Sequence, residues 1–88
     1  MIFSSKYEIV DIADEYIAVP VGEGSINNKK VIALSNAAAF LLKQMSTQKT
    51  KDELIELLID EYDLEKRIAI KDIDTFLETM INMGLIID

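Results

Sequence analysis

Neither cysteine nor histidine occurs anywhere in this sequence of 88 residues. Their absence removes the commonest soft metal ligands, the thiol nucleophile and the base of a Ser-His-Asp triad, so zinc sites and the familiar forms of nucleophilic catalysis are excluded at once. It also leaves a small core without a disulfide or zinc staple, which suits a reducing, cytoplasmic setting. Positive charge is scarce: 9 Lys and Arg stand against 16 Asp and Glu, a formal net charge of −7. Such a chain is repelled by a phosphate backbone and favours a neutral or basic partner over nucleic acid. No segment approaches the roughly 18–20 consecutive apolar residues of a membrane-spanning helix. The opening Met-Ile-Phe-Ser-Ser-Lys lacks the basic region and apolar stretch of a secretory signal. No linker, repeat or low-complexity segment is evident.

What is present has the balance of a folded protein, half of it apolar and 28% charged, well away from the composition of disordered chains. The length suits one hydrophobic core, so residues 1–88 are expected to form a single domain. From Glu8 to Val21 the chain is dense in β-branched and aromatic residues, with Val10 and Ile12 on one parity and Ile17, Val19 and Val21 on another. Two strands are predicted. Ala13, Asp14 and Glu15 leave room only for a tight reversal between them, hence an antiparallel hairpin. Pro20 cannot donate to a ladder, so it belongs at a strand end or on an edge, where it would blunt the second strand.

The stretch Gly22 to Asn28, Gly-Glu-Gly-Ser-Ile-Asn-Asn, reads as a loop, and Lys30 to Leu34 as a third strand that ends where Ser35 or Asn36 can cap a helix. A first helix follows over about Asn36 to Met45, with Ala38, Leu41, Leu42 and Met45 at helical spacing. Thr50-Lys51-Asp52-Glu53 is a capping box that opens a second helix running to Tyr62. Leu54, Leu57, Leu58 and Tyr62 form its core stripe, which Ile55 and Ile59 widen. A third helix is predicted from about Lys71 to Met83, with Ile73, Phe76, Leu77, Met80 and Ile81 as its apolar positions, Asp72 and Asp74 in its first turn and Gly84 as its stop. Leu85, Ile86 and Ile87 should fold back on the core. The expected class is α+β: a three-stranded antiparallel sheet followed by a three-helix bundle, in a winged helix-turn-helix-like order.

Candidate chemistry is thin. Glu61, Asp63 and Glu65 cluster after the second helix, but alternate acids at a helix end describe a solvated surface better than an acid-base or hard-metal site. Gly22-Glu23-Gly24 has no following Lys-Ser or Lys-Thr and leads into a strand, so it is a turn rather than a phosphate cradle. Met45, Met80 and Met83 serve either as core filler or as adaptable peptide contacts. The strongest feature is the third strand: a small sheet must have edges, and the unpaired N–H and C=O groups of an edge can pair with a peptide. Val31, Ile32 and Ala33 carry no charge that would blunt such an edge.

The order of elements, together with Leu34-Ser35-Asn36-Ala37-Ala38 at the exit of the third strand, resembles the PqqD family. The likeness continues through Thr50-Lys51-Asp52-Glu53-Leu54, through Asp72-Ile73-Asp74-Thr75-Phe76-Leu77, and through Met83-Gly84-Leu85-Ile86. That family commonly has Leu-Asn at the strand end and Asp-Val in the third helix; Ser35 and Ile73 take those places here and keep the roles. The resemblance implies a non-catalytic domain without a cofactor of its own. Such a domain recognises the leader of a ribosomally made precursor peptide for a modifying enzyme, often a radical S-adenosylmethionine enzyme. It further implies that the leader adds as a strand beside the third strand, pairing with the backbone of Lys30, Val31, Ile32 and Ala33, in a groove closed by the third helix. Ile73, Leu77 and Met80 are then the candidates for side-chain contact from the exposed margin of that helix, with plain core packing as the competing explanation. Lys29 and Lys30 could meet acidic leader residues.

Two other classes compete. A winged-helix nucleic-acid binder shares the order of elements, but its recognition helix would present Asp72, Asp74 and Glu78 with Lys71 as the one cation, the wrong charge for phosphate and base edges. A plain oligomerisation or adaptor module, a homodimer included, would use Ile55 and Ile59 as an exposed apolar patch.

Overall fold

The computed structural model describes residues 1–22 and 30–88; beyond Gly22, the expected loop to Asn28 lies outside the described residues, as does Lys29. The hairpin forms as the sequence predicts. Strand β2 (Tyr7–Ile12) pairs antiparallel with β3 (Glu15–Pro20) in a register running from Tyr7 opposite Pro20 to Ile12 opposite Glu15. Its two turn residues, Ala13 and Asp14, have φ of 52° and 67°, the left-handed pair whose twist matches that of the flanking strands. Strand β4 (Ile32–Leu34) adds to the other side of β3, giving the order β2-β3-β4.

That order corrects the reading of Pro20. It lies at the end of the central strand, so it blunts no edge, and the Val21 N–H resumes pairing by donating to the Lys6 carbonyl at 2.9 Å. The inner face of the sheet carries Tyr7, Ile9, Tyr16, Ala18, Pro20, Ile32 and Leu34, and the absence of a long side chain at Ala18 lets the helical layer come close. Val10, Ile17 and Ala33, which stand opposite one another, share the outer face, so the β-branched positions most conspicuous in the sequence point away from the helices.

Helix α1 (Asn36–Gln44) is capped by Ser35, whose Oγ accepts from the Ala38 N–H at 3.1 Å. Helix α2 (Lys51–Tyr62) opens with the full capping box: the Glu53 N–H donates to Thr50 Oγ1 at 3.1 Å and the Thr50 N–H to Glu53 Oε1 at 2.9 Å. Helix α3 (Lys66–Asn82) starts five residues before the predicted Lys71. Its N-cap, Glu65, makes no side-chain cap hydrogen bond, so the usual start signal is missing, while Ala69 is wholly buried and ties the extra turns to the core. Asp72 and Asp74 are therefore mid-helix residues. The chain leaves α3 through Gly84, at φ 79°, with the Leu85 N–H donating back to the Met80 carbonyl at 2.9 Å.

Leu85 and Ile86 do fold onto the core, and they do so as part of a second, two-stranded sheet: β1 (Ile2–Phe3) pairs antiparallel with β5 (Ile86–Ile87). The Ser4 N–H donates to the Leu85 carbonyl at 2.8 Å and the Phe3 N–H to the Met45 carbonyl at 2.9 Å, closing this end of the molecule. Leu42, Met45, Leu54, Ile73 and Leu85 are the large side chains at the centre. Ile55 is only 5% exposed and Ile59 packs against the same core, so the apolar patch expected on α2 is interior. No helix among the described residues is long and apolar enough to cross a membrane.

Candidate functional site

Because β3 is central, β4 has one edge with no strand neighbour among the described residues. Its paired portion is shorter than predicted, Ile32–Leu34 rather than Lys30–Leu34; Lys30 and Val31 precede it, and Val31 is 59% exposed. At the other end, Leu34 passes directly into the Ser35 cap of α1. There a cleft of about 520 Å³ opens between helices. Ser35, Ala37, Ala38 and Leu41 form its α1 wall, and Leu58, Tyr62 and Leu64 its floor at the end of α2. Lys71, Asp72, Thr75, Phe76, Thr79 and Met80 of α3 face them. Ala37 and Ala38 thus stand on one wall of an apolar cleft that begins where the edge of β4 ends.

The contacts expected from Ile73, Leu77 and Met80 divide. All three are buried, at 0, 9 and 8% exposure, so none forms an exposed margin, and only Met80 lines the cleft. Helical phase explains this. Ala69, Ile73, Phe76, Leu77 and Met80 make up the stripe against the core, and the margin bordering the cleft lies one step round the helix at Asp72, Thr75 and Thr79. Those three went unrecognised because they are polar. Their spacing of three and four residues beside the core stripe was the available signal. Lys51 at the start of α2 pairs with Asp74 of α3, an exposed ion pair of small energetic weight that helps hold the two helices in register.

A second cavity, of about 440 Å³, adjoins the first across Tyr62, which lines both. It lies between the hairpin tip, the start of α1 and the end of α2. Of the acids flagged after α2, Glu61 lines this second cavity, Asp63 adopts the left-handed conformation that ends the helix, and Glu65 begins α3. Among the described residues no group of three or more acids is arranged to hold a metal ion. The Glu53 carboxyl is held below its ordinary range by its backbone and side-chain hydrogen bonds with Thr50; it belongs to the capping box rather than to the cleft. The arrangement as a whole offers backbone donors and acceptors, an apolar trough and a polar rim, which is equipment for holding an extended chain.

The model of one protein family, described as coenzyme PQQ synthesis protein D (PqqD), matches residues 15–86, which take in β3, β4 and all three helices. Among curated proteins no sequence relative matches. Solved structures with this fold include TbiB1 in complex with the TbiA(beta) leader peptide. That protein has a TM-score of 0.74 and 19% identity, over 97% of this chain and 93% of that one. A lasso peptide synthetase B1 complexed with its leader peptide has a TM-score of 0.73 and 14% identity, over 98% of this chain and 95% of the other. At these identities the likeness is one of fold.

Proposed function

The chain belongs to the PqqD family, and from that premise we propose that it is a non-catalytic recognition element for the leader of a ribosomally made precursor peptide. The leader adds as a strand to the free edge of β4, and the domain presents the remainder of the precursor to a modifying enzyme, a radical S-adenosylmethionine enzyme being the expected kind. The observation that carries this reading is the juxtaposition of a strand edge, without a strand neighbour among the described residues, with an apolar cleft at its end. Two proteins of the same fold, each in complex with a leader peptide, support it.

The division of labour follows from strand chemistry. Backbone groups of Lys30, Val31, Ile32 and Ala33 supply affinity without reading sequence, since every peptide has the same main chain. Alternate side chains of an added strand face the same way, so the cleft sets register by receiving one face of the peptide. Met80 and Phe76 are its apolar lining on α3, while Thr75 and Thr79 offer hydroxyls at the rim. Ile73 and Leu77 act through the core, fixing the position of α3. The domain works where precursor peptides are made, in the cytoplasm.

An amide NMR titration of the labelled domain with the leader of a short peptide encoded beside its gene tests this. Shifts at Val31 to Ala33 and along the Asp72, Thr75 and Thr79 margin, saturating at micromolar peptide or below, are the expected result. A leader that leaves these amides unmoved would send the assignment towards an adaptor for some other protein.

A further inference from the structure

The outer face of the three-stranded sheet is more apolar than a face turned to water needs to be. Val10, Ile17 and Ala33 form one row across β2, β3 and β4. Two residues further along their strands, Ile12 of β2 and Val19 of β3 point the same way, and Val31 precedes β4 on the parity of Ala33. Ile12 and Val31 are 56% and 59% exposed, and Ala33 is exposed as well. Among the described residues none of these six belongs to the core or packs against it. An antiparallel sheet with one face in water ordinarily alternates apolar inside with polar outside. Here the outward positions of β2 and β3 carry charge only at Glu8, opposite Val19, and at Glu15, opposite Ile12. These two carboxylates bracket Val10 and Ile17 from the two ends of the face, and neither forms an ion pair among the described residues.

Size and charge argue against a second copy as the cover. Three strands about 4.8 Å apart, with six residues at about 3.3 Å each, make a face of roughly 300 Å², well short of the about 800 Å² per partner of a standard stable interface. A second copy would also set Glu8 and Glu15 against their own images and join two chains of net charge −7. The face is instead continuous with the edge of β4, through Ala33. A strand added at that edge places one set of alternate side chains beside Ala33, so the row of Val10, Ile17 and Ala33 lengthens to four strands and the face grows by about one third. Its other side chains face the helices and the cleft. The protein that must come to a precursor held there is the enzyme that acts on it. Such an enzyme also holds the rest of the precursor in its own active site, so a small face suffices: linked contacts reinforce one another through effective concentration.

We propose that this outer face, completed by the outward side chains of the bound leader, is the docking surface for the modifying enzyme, which meets it with an apolar centre and a basic rim opposite Glu8 and Glu15. This rests on the leader-recognition reading above and adds to it a partner surface and an order of assembly. The leader binds first and the enzyme second, because only the loaded domain presents the complete face.

Titration calorimetry of the 88-residue chain with the modifying enzyme encoded beside its gene, with and without saturating leader, tests it. Leader should raise the affinity for the enzyme about fivefold or more, the ordinary scale of coupling between two sites. A Val10→Lys/Ile17→Lys variant should bind leader within about twofold of wild type, which shows that the sheet and β4 are intact, and the loaded variant should lose about tenfold or more in affinity for the enzyme, as when the centre of an interface is removed. Val10→Thr/Ile17→Thr keeps a β-branched residue in both strands and should give a smaller loss in the same direction. Serine at the outward positions of the leader strand should weaken the enzyme's binding and spare the leader's own. An enzyme that binds the loaded Lys variant as tightly as wild type, or does not bind the loaded wild-type chain at all, would overturn the docking face while leaving leader recognition standing. Binding abolished by the Lys variant yet indifferent to leader would overturn the composite surface, and a dimer in light scattering that the same variant dissolves would give the face to a second copy. A wild-type chain that binds no leader would overturn the recognition reading together with this one.

Discussion

At the level of single residues, the two sides of α3 separate stability from recognition. Ile73 is wholly buried and does not line the cleft, whereas Thr79 is exposed and does. Ile73→Ala removes three methyl or methylene groups from a packed centre and should cost about 2–5 kcal/mol, the usual range for such truncations. In a domain of this size that is a large share of the total stability, so the denaturant midpoint should fall steeply. Thr79→Arg should leave that midpoint within about 0.5 kcal/mol of wild type, as surface replacements do, yet fill the cleft and weaken leader binding at least tenfold. The reverse pattern, a stable Ile73→Ala protein that no longer binds peptide, would place Ile73 in the contact surface and refute this helical phase. The sequence contained the information needed to find the core stripe, since Ile73, Leu77 and Met80 recur at helical spacing. It could not say which border of that stripe a neighbour covers, because that depends on where α1 crosses.

The elements that were legible are those with a local chemical signature. The hairpin has a reversal only two residues long, and α2 opens with Thr50 and Glu53 bonded reciprocally. Helix α3 has no such mark at Glu65, and β1 and β5 are two residues each, too short for any periodicity; they exist because distant parts of the chain meet. The capping box carries a pH signature of its own. The hydrogen bonds from Thr50 hold the Glu53 carboxyl below its ordinary value of 4.5. The stabilisation it provides is therefore fully present above that value and lost as pH falls through the lowered folded one. Relative to wild type, Glu53→Gln should flatten the acid limb of a stability-against-pH curve, and parallel curves would deny the box that role. For β4 the test is the backbone itself. Ala33→Pro deletes one N–H from an edge strand, which tolerates proline better than a central strand does. If that edge holds the leader, affinity should drop at least tenfold with the helical circular dichroism of α2 and α3 retained; undiminished binding would move the site off β4.

On the scale of the whole molecule, the excess of acid over base shapes how partners arrive. A formal net charge of −7 on a chain of 9.9 kDa produces a field that repels phosphate backbones and attracts basic peptides. That field acts mainly on the approach, before short-range contacts form. Stopped-flow association with a basic leader should therefore slow markedly as ionic strength rises towards about 0.15 M, where charges are screened beyond about 8 Å. The dissociation rate, set by the β4 ladder and the apolar cleft, should change little. The opposite partition, with salt acting on dissociation alone, would mean that the charge works only in direct contact within the bound state. Duplex DNA should give no association at the same salt, because the cleft-facing margin of α3 sets Asp72 beside Lys71 and the molecule around it is acid. The fold that could have served a winged helix is thus directed by its charge, and by the edge of β4 that runs into the apolar cleft, towards an extended polypeptide.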